Sequence, residues 1–481
     1  MSKYKIFINN EKVILRIVIE KDSRIERFFV YKENFEPEIG NIYKGKIEKF
    51  LPGINSTFVN IGEMKSGFLQ IDQFNTYYDI DEYEEKDALP KIFIPEKEIL
   101  VQICKPGEDG KSPKLTEKIS LPGRYFVLFP NLKIQKISQK IKDTKERKRL
   151  MKIFKREIGE KFGYIVRTAA MGKKEIFIQR EIQNILRIWK RIKRDYKKKT
   201  SPSLLWREIP LYLKVIRDYV NEDYELVEVD DEFIFSQIKK YVNLFIPELR
   251  GKIYLYSKKI PMFIQYGLED KIKEFLSDKV FLPSGGYLII EKGRTITTID
   301  VNSGKTEEQN LEETILKTNL EAAEEIPRQI ICRNISGIII VDFIDMKEEN
   351  RKKVFKKFIE NFRNDKSKTD ILFISKFGLV EMLREKNDYS IYNILFKECD
   401  SCAGLRFKKD KELIFLELKK IIFEFFSHKG YNYKLKIEIS PDLYEFIFKK
   451  GLFKNFIFFD RIKFEVVDNF GSRDFKIVER F

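Results

Sequence analysis

The 481-residue chain contains a single histidine, and this scarcity excludes several kinds of catalytic site. A nuclease that uses two histidines as acid and base cannot be built from one. A Ser-His-Asp hydrolase would have to use His428, which stands in EFFSHKGY with no nucleophile motif nearby. We therefore expect His428 to be a structural or solvent-facing residue. If this chain cuts phosphodiester bonds, carboxylates and a metal ion must carry out the reaction.

Cysteines and long apolar runs are also scarce. Four cysteines are too few and too unevenly spaced for a disulfide framework, which favours a reducing compartment. They are Cys104, Cys332, Cys399 and Cys402. The N-terminal segment MSKYKIFINNEKVIL lacks a signal-peptide core, and no apolar run approaches the roughly 18 residues of a membrane span. We expect a soluble, cytoplasmic protein.

Positive charge, in contrast, is abundant. The 92 Lys and Arg residues against 75 Asp and Glu residues give a formal net charge of +17, which indicates a polyanionic partner. Lys, Ile, Phe and Asn are frequent throughout, as expected from an AT-rich genome, so arginine clusters are more informative than the lysine count. The basic run WKRIKRDYKKK is most simply a solvated helix face.

Patterning along the chain predicts several domains. The first 35 residues predict short β-strands, and the segment from Gly40 to Phe74 predicts three more, separated by turns. Aromatic residues alternate there with basic ones, which suits a small β-barrel that stacks bases and binds phosphates. The alternative is that rings such as Phe58 and Phe68 belong only to the core.

From Val280 onward the pattern becomes α/β. The strands GYLIIEK and TITTIDVN precede a long helix, LEETILKTNLEAAEEI, which Pro327 should end or kink. Period-two alternation in TITTIDVN places Asp300 and Asn302 on one side, as a half-site for a hard cation. The alternative is a strand that simply runs into a turn, because Asp, Asn, Ser and Gly all favour turns.

Six separated strings resemble the bacterial ribonuclease E/G family, in the same order and at matching separations. They are ISLPGRYFVLFPN, IVRTAA, TTIDVNSGK, TNLEAAEEI, IIIVDFIDM and FGLVEM. The resemblance covers essentially the whole chain. No long C-terminal tail follows, so the chain looks like the shorter, ribonuclease G-like form or an isolated catalytic half.

The resemblance implies an α/β and α+β multidomain fold with an inserted RNA-binding domain. The implied divisions are 1–35 and 214–278 as two parts of an RNase H-like subdomain, 36–119 as an OB-fold RNA-binding domain, 120–213 as a 5′ sensor, 279–395 as a DNase I-like catalytic domain, 396–410 as a zinc link and 411–481 as a small domain.

Members of the family are magnesium-dependent endoribonucleases that favour AU-rich single-stranded RNA with a 5′ monophosphate and leave 3′-hydroxyl and 5′-phosphate ends. The resemblance implies the same activity here, in ribosomal and transfer RNA maturation and in messenger decay. One alternative is a non-catalytic RNA-binding scaffold. Another is a DNA nuclease or phosphatase with the same metal chemistry.

Three residues match the catalytic positions of the family: Asp300 and Asp342 as carboxylates and Asn302 as a supporting amide. Asp342 ends the apolar run GIIIV, where α/β sheets present ligand groups. Two carboxylates suffice for Mg²⁺, which keeps several waters. Asp345 is a local competitor that would face away from Asp342 in a continued strand.

Other positions match the RNA-binding residues of the family. Arg167 and Thr168 match a pocket for a 5′ phosphate, with backbone amides expected from Gly123 and Val127. Substrate-holding positions of the OB-fold domain match Phe58, Phe68 and Lys111.

The pair Cys399 and Cys402 matches a zinc link in which two chains each give two thiolates to one Zn²⁺ ion. The resemblance therefore implies a homodimer, or a homotetramer of such dimers. Asp400 and Leu405 depart from the family, which usually has Pro and Gly there.

Overall fold

The computed structural model describes most of the chain, and within that part no helix combines the length and apolar character needed to cross a membrane. The described residues are 4–32, 39–73, 94–107, 111–220, 223–293, 295–304, 311–363, 365–398, 407–429, 433–454, 456–468 and 474–478. Two compact units are present. Unit 1 comprises Met1–Ile6, Asn34–Leu255 and Lys386–Tyr389, and unit 2 comprises Phe7–Glu33, Tyr256–Glu385 and Ser390–Phe481. The finer domain boundaries predicted above stay predictions.

Unit 1 contains a closed β-barrel, which confirms the prediction of a small barrel and is compatible with an OB fold. Its strands are β4 (Ile42–Leu51), β5 (Ser56–Asn60), β6 (Gly67–Gln70), β7 (Glu98–Lys105) and β8 (Lys114–Thr116). They pair in the order β4-β5-β6-β8-β7, and β7 pairs back onto β4 to close the ring. The interior is filled by apolar side chains such as Ile47, Val59 and Leu69.

The next part of unit 1 is a four-stranded sheet covered by two helices. The strands, in the order β11-β12-β10-β9, are β9 (Leu121–Pro122), β10 (Phe126–Phe129), β11 (Gln135–Ile137) and β12 (Gly163–Val166). The helices are α1 (Thr144–Ile158) and α2 (Glu175–Lys198). Helix α1 begins after Asp143, whose carboxylate accepts the Lys145 N–H, as an N-cap residue does.

Unit 1 is completed by shorter elements. They are β13 (Ser203–Trp206), which pairs with β4, then α3 (Leu211–Tyr219), β14 (Tyr224–Val229), α4 (Glu232–Phe245) and β15 (Ile253–Leu255), which pairs in parallel with β14. Strand β1 (Tyr4–Asn10) contains the point where unit 1 gives way to unit 2.

Unit 2 is built on a six-stranded sheet in the order β16-β17-β18-β19-β21-β20. The strands are β16 (Lys279–Phe281), β17 (Tyr287–Lys292), β18 (Ile296–Asn302), β19 (Gly337–Asp342), β20 (Thr369–Ile371) and β21 (Leu379–Arg384). Helices α7 (Leu311–Cys332) and α8 (Glu348–Phe362) bury one face of this sheet. Strands β18 and β19 pair in parallel, and the other described pairs are antiparallel.

Pro327 does not end the long helix, so that half of the prediction was wrong. Helix α7 continues past it to Cys332. An internal proline costs a hydrogen bond and about 3 kcal/mol. Ile326, just before the proline, and Ile330, three residues after it, are fully buried in the core beneath the sheet. Burial of this apolar stripe offsets the local cost of the proline.

The remaining elements of unit 2 come from both ends of the chain. They are β2 (Leu15–Lys21), β3 (Arg24–Tyr31), α5 (Met262–Gln265), α6 (Leu268–Phe275), α9 (Ile391–Leu395), β22 (Phe396–Glu398), β23 (Phe407–Lys409), α10 (Lys411–Lys429), β24 (Leu435–Ile439), α11 (Pro441–Lys449), β25 (Ile462–Val466) and β26 (Phe475–Val478). Strands β2 and β3 form an antiparallel hairpin, and β3 packs against α7.

Candidate functional site

Two aspartates lie side by side on the face of the unit 2 sheet that the helices leave uncovered. In the parallel register of β18 and β19, Asp300 and Asp342 are direct partners. Along β18, Ile299 and Val301 point into the core, so Asp300 between them points outward. Because neighbouring strands are about 4.8 Å apart, the two carboxylates form one acidic site.

Asn302 orients one of these carboxylates. It lies two residues beyond Asp300 on the same face of β18, and its Nδ2 donates a 2.7 Å hydrogen bond to Asp300 Oδ2. The amide therefore fixes the carboxylate of Asp300. The alternation in ITTIDVN that predicts a shared face for these two side chains is confirmed.

A glycine is required just after β18. Gly304 has a φ of +69°, and a Cβ atom there would lie 2.4 Å from the carbonyl oxygen of Gly285. Glycine is the residue that tolerates both the left-handed conformation and such a close approach. Gly304 thus allows the end of β18 to lie against the loop before β17.

Two side chains of α7 hold the loop that follows Asp342. Asn319 is fully buried; its Nδ2 donates to the Ile344 carbonyl oxygen at 2.8 Å and its Oδ1 accepts the Ile344 N–H at 3.2 Å. Glu312 accepts the Lys347 N–H at 3.1 Å. Sequence reasoning missed both residues, although Asn319 lies in TNLEAAEEI, one of the strings that carry the family resemblance.

The acidic site perturbs the proton affinity of Asp342. Partial burial, together with the negative charges of Asp300 and Asp345, raises the pKa of Asp342 above its ordinary value. Within the described part of the chain, the Asp342 carboxylate accepts no hydrogen bond that would offset this repulsion. An added cation would relieve it.

The expectation that Asp345 faces away from Asp342 assumed that β19 continues past Asp342. Strand β19 ends at Asp342, and residues 343–347 follow as a loop, so strand alternation does not apply to them. The negative charge of Asp345 is one of the causes that raise the pKa of Asp342, after burial and the charge of Asp300. Asp345 therefore belongs to the electrostatic surroundings of the site.

Two carboxylates on an exposed face are a donor set that suits Mg²⁺. Among the described residues, no group of three or more His, Cys, Asp or Glu side chains is arranged to hold a metal ion. Mg²⁺ is commonly held by one or two carboxylates and retains several waters. Asp300 and Asp342 supply that number of carboxylates on an exposed face.

The barrel of unit 1 carries an aromatic and cationic row across four strands. Phe58 on β5 and Phe68 on β6 are cross-strand partners, with ring centroids 5.7 Å apart. Lys49 on β4 pairs with Phe58, and Lys114 on β8 pairs with Phe68. Directly paired residues share one face of a sheet. The two rings are therefore flanked by a lysine on each side.

The two phenylalanines of this row are half-buried and lie outside the barrel core, so they are open to planar ligands. The predicted Lys111 is exposed in the segment before β8. Sequence reasoning missed Lys49 and Lys114, because strand register is needed to bring them beside the rings.

Arg167 and Thr168 lie where β12 ends. The Arg167 N–H donates to the Tyr125 carbonyl oxygen at 2.7 Å, and its guanidinium pairs with Asp218. The Thr168 hydroxyl lies 3.0 Å from that of Ser138. The structure therefore brings together a guanidinium and two hydroxyls at one sheet edge, a set that suits phosphate oxygens. Sequence reasoning missed Ser138 and Asp218.

Gly123 directly follows β9 of the same sheet, and Val127 lies on β10. The Gly123 N–H donates to the Phe126 carbonyl oxygen at 2.8 Å, so a ligand would have to share or replace that bond. A Cβ atom at position 123 would lie 2.7 Å from the carboxyl carbon of Glu181, so glycine is required there. Val127 pairs with Ile165 in β12.

Buried Glu181 fixes the turn between Gly123 and β10. Its oxygens accept the N–H groups of Arg124 at 2.6 Å and Tyr125 at 2.8 Å. Burial raises the pKa of Glu181 to about 7, although these two N–H groups act in the opposite direction. The turn that joins Gly123 to the Arg167 region is thus held by one carboxylate.

Other predicted residues lie elsewhere. Cys399 and Cys402 fall outside the described residues; the strands β22 and β23 that flank them pair with each other. The basic run WKRIKRDYKKK forms the second half of α2, where Trp189 and Ile192 are buried and the lysines and arginines lie on the outer side. His428, expected to be structural or solvent-facing, is an exposed residue in the last turn of α10.

Comparisons with known proteins agree across most of the chain. The family model described as "Ribonuclease E/G family" matches residues 120–387, more than half of the chain, and this span includes Asp300, Asp342 and Arg167. The chain is 31% identical to Ribonuclease G of Haemophilus influenzae over 490 residues, covering 99% of this chain and 100% of that protein. It is 33% identical to Ribonuclease G of Escherichia coli (strain K12) over 405 residues, 83% of each chain. It is 34% identical to Ribonuclease E of Buchnera aphidicola over 418 residues, 85% of this chain and 43% of that protein.

Proposed function

The chain belongs to the ribonuclease E/G family, and on this premise we propose that it is a magnesium-dependent endoribonuclease that cuts single-stranded RNA. The observation that carries the proposal is the parallel register of β18 and β19, which makes Asp300 and Asp342 direct partners on an exposed face. A protein that only binds RNA has no need of two opposed carboxylates. The RNase H-like, 5′ sensor and DNase I-like subdomains are part of this proposal.

The chemistry proposed is hydrolysis of a phosphodiester bond. Bound Mg²⁺ would activate a water and offset negative charge on the phosphoryl oxygens. Asp300 and Asp342 would hold the ion, and Asn302 would keep the Asp300 carboxylate oriented through its 2.7 Å hydrogen bond. The water oxygen bonds to phosphorus as the bond to the 3′ oxygen breaks. One product then ends in a 3′ hydroxyl and the other begins with a 5′ phosphate.

The barrel surface supports RNA as the polymer. Phe58 and Phe68 offer two rings on which bases can stack, and stacking tolerates any base sequence. Lys49 and Lys114 lie beside them and suit the phosphates that separate successive bases. Unstacked bases are needed for this contact, so single strands rather than duplexes fit the row. We extend this to AU-rich single strands, as the family resemblance implies, and to precursor RNA maturation and messenger decay.

We assign the preference for a 5′ monophosphate to the pocket formed by Arg167, Thr168 and the backbone near Gly123 and Val127. A guanidinium can grip a terminal phosphate through two parallel hydrogen bonds, which a lysine cannot reproduce. The hydroxyl pair of Thr168 and Ser138 adds donors at the same sheet edge.

We also propose that Cys399 and Cys402 contribute to a zinc ion shared by two chains. A tetrahedral structural site needs four ligands, and this pair supplies two. The expected result is one zinc per two chains in a dimer, with both lost together in Cys399→Ser. A zinc-free dimer, or a dimer that survives Cys399→Ser, would refute the link.

The proposed activity is tested with a short AU-rich oligonucleotide, with and without Mg²⁺, carrying either a 5′ monophosphate or a 5′ hydroxyl. We expect cleavage only with Mg²⁺ and faster cleavage of the monophosphate form. Asp300→Asn and Asp342→Asn should abolish cleavage and leave RNA affinity nearly unchanged, because phosphate affinity comes mainly from Lys and Arg.

The matched control is Asp370→Asn. Asp370 is an exposed aspartate of the same sheet, on β20, which β21 separates from β19. It should retain the wild-type cleavage rate. Full cleavage by both Asp300→Asn and Asp342→Asn would refute the metal site, and RNA binding without cleavage by the wild type would instead indicate a scaffold protein.

A further inference from the structure

The guanidinium of Arg167 is engaged on one side and open on the other. Its Nη1 donates to Asp218 Oδ1. Among the described residues its Nε and Nη2 donate to no protein group, and the side chain is 30% exposed. These two nitrogens form the parallel fork that binds two oxygens of one phosphate or carboxylate. The free edge of Arg167 is thus the edge suited to an anion.

Asp218, which holds the other side of Arg167, is itself fixed. Arg217 donates from Nε to Asp218 Oδ1 at 3.2 Å and from Nη2 to Asp218 Oδ2 at 2.9 Å. Both oxygens of Asp218 are therefore engaged by Arg217, and one of them also accepts from Arg167. A carboxylate bound in this way has little freedom to rotate.

Arg217 is anchored in turn. Its Nη1 donates to Glu208 Oε1 at 2.8 Å and to the Pro122 carbonyl oxygen at 3.1 Å, and only 7% of its side chain is exposed. Burial alone would lower the pKa of Arg217, but the carboxylates of Asp218 and Glu208 outweigh burial and raise it. Arg217 therefore stays charged and keeps its contacts.

The four side chains form one alternating series of charges: Glu208, Arg217, Asp218 and Arg167. The series has no net charge before a ligand arrives. Through Arg217 the series also donates a hydrogen bond to the carbonyl oxygen of Pro122. Pro122 directly precedes Gly123, whose backbone amide is expected to help bind the phosphate. Both sides of the proposed pocket therefore depend on the same series.

We propose that Asp218 is a positioning residue for the terminal phosphate of the RNA, acting through Arg167. Its carboxylate holds Nη1 of Arg167 so that the Nε and Nη2 edge stays directed at the pocket before substrate binds. The guanidinium then loses little rotational freedom on binding, which strengthens the contact. This inference rests on the proposed role of Arg167 in recognising a 5′ phosphate.

The test compares kcat/KM for two RNAs that differ only in a 5′ monophosphate or a 5′ hydroxyl. In Asp218→Asn and Asp218→Ala we expect the ratio of the two values to fall by about tenfold, the size of one charge-assisted hydrogen bond. The change should come from KM of the monophosphate RNA, because Asp218 acts on binding of the phosphate.

The control for a general loss of stability is Asp143→Ala, which removes the N-cap of α1 in the same unit and contacts no residue of the charge series. It should lower the melting temperature and leave the ratio unchanged. If Asp218→Asn also leaves the ratio unchanged, or raises it because Asp218 competes with phosphate for Arg167, the inference is wrong.

Arg167→Ala separates this inference from the proposed function. A ratio near one in Arg167→Ala, together with an unaltered ratio in Asp218→Asn, would refute only the role of Asp218. A wild-type ratio in Arg167→Ala would instead refute the role of Arg167 in 5′-end recognition.

Discussion

Asp300 and Asp342 place two negative charges in direct register, and such a pair weakens a metal-free sheet. Like charges opposite each other on neighbouring strands cost roughly 0.2–1 kcal/mol. We expect Asp300→Asn to raise the free energy of unfolding of the metal-free protein by about this amount at neutral pH, although cleavage is lost. Thermal unfolding in the presence of a chelator measures this.

Addition of Mg²⁺ provides the complementary measurement. It should raise the melting temperature of the wild type, because a ligand that binds only the folded state stabilises it. The same addition should have a smaller effect on Asp300→Asn. A metal-free Asp300→Asn protein less stable than the wild type would contradict the repulsion, and Asp370→Asn controls for loss of an exposed aspartate.

A second prediction at the residue scale concerns the effect of Asp345 on the pH dependence of cleavage. Partial burial, Asp300 and Asp345 all raise the pKa of Asp342, so the carboxylate proposed to bind the cation is protonated at a higher pH than usual. Asp345→Asn removes one of these causes and lowers that pKa. Cleavage should therefore persist, with the acidic limb of the kcat/KM profile moved to lower pH. An unchanged or higher acidic limb would contradict this assignment.

The raised pKa of Asp342 also makes the stability of the folded protein depend on pH. The sign of this dependence is opposite to that produced by an aspartate in an ion pair, whose pKa is lowered. Because the pKa of Asp342 is higher in the folded protein than in the unfolded chain, the folded state binds the proton more tightly. The stability of the metal-free protein should therefore fall as pH rises through the interval between the two pKa values. In Asp345→Asn this fall should be smaller.

At the scale of strands and helices, the proposed RNA contacts of the barrel row are of two kinds, phosphate contacts by lysines and base stacking on phenylalanines. Replacing Lys49 and Lys114 by Gln should reduce the slope of log affinity against log salt by about 1.4, or about 0.7 for each lost phosphate contact on single strands. Phe58→Ala with Phe68→Ala should weaken binding by about 1–3 kcal/mol for each lost stack without changing the slope. Titrations at several salt concentrations distinguish the two.

The control for the lysine pair removes two positive charges elsewhere. Lys352 and Lys353 are exposed on α8 of unit 2, and their double replacement by Gln changes the net charge by the same amount. This control should leave the slope unchanged. Equal effects of both double variants would mean that the net charge of +17, and no particular row, determines RNA affinity.

Elements with a strong periodic pattern could be predicted from the sequence, whereas the partners that orient the site could not. Alternation in ITTIDVN gave the shared face of Asp300 and Asn302, because side-chain direction in a strand depends only on position. The contact of Asn319 with Ile344 joins positions 25 residues apart. Local sequence pattern carries no information about such long-range contacts, which depend on how the helix packs against the sheet.

Pro327 and Asp345 show the same limit. The helix-breaking tendency of proline is local, and burial of the surrounding apolar residues of α7 outweighs it. The expectation for Asp345 assumed that β19 continues, whereas the strand stops at Asp342. In both cases tertiary contacts decide where an element ends.

At the scale of the whole molecule, unit 2 depends on residues far apart in the chain. Lys32 of the N-terminal segment is buried and pairs with Asp410 and Glu412. The Cys332 thiol of α7 donates to the Glu26 carbonyl oxygen at 2.8 Å. A fragment of residues 256–481 leaves these carboxylates without Lys32, and removing one partner of a buried ion pair costs about 3–5 kcal/mol.

We therefore expect the fragment of residues 256–481 to lack a cooperative thermal transition. Co-expression of residues 1–33 as a separate chain should restore one, at least in part. Scanning calorimetry of the fragment with and without the short chain measures this. A fragment that unfolds cooperatively near the melting temperature of the full chain would contradict the dependence on residues 7–33.

Because unit 2 combines residues 7–33 with residues after 255, its assembly is delayed during translation. Strands β2 and β3 leave the ribosome early, but α7, against which β3 packs, ends at Cys332, roughly 300 residues later. At about 5–20 residues per second, the hairpin waits roughly 15–60 s for this partner. Apolar side chains such as Ile17 and Phe28, buried in the finished protein, are open to chaperones in that interval. The sheet that carries Asp300 and Asp342 is incomplete until β21 has been synthesised up to Arg384, so a nascent chain has the proposed RNA-binding surface of the barrel well before it has the proposed catalytic site.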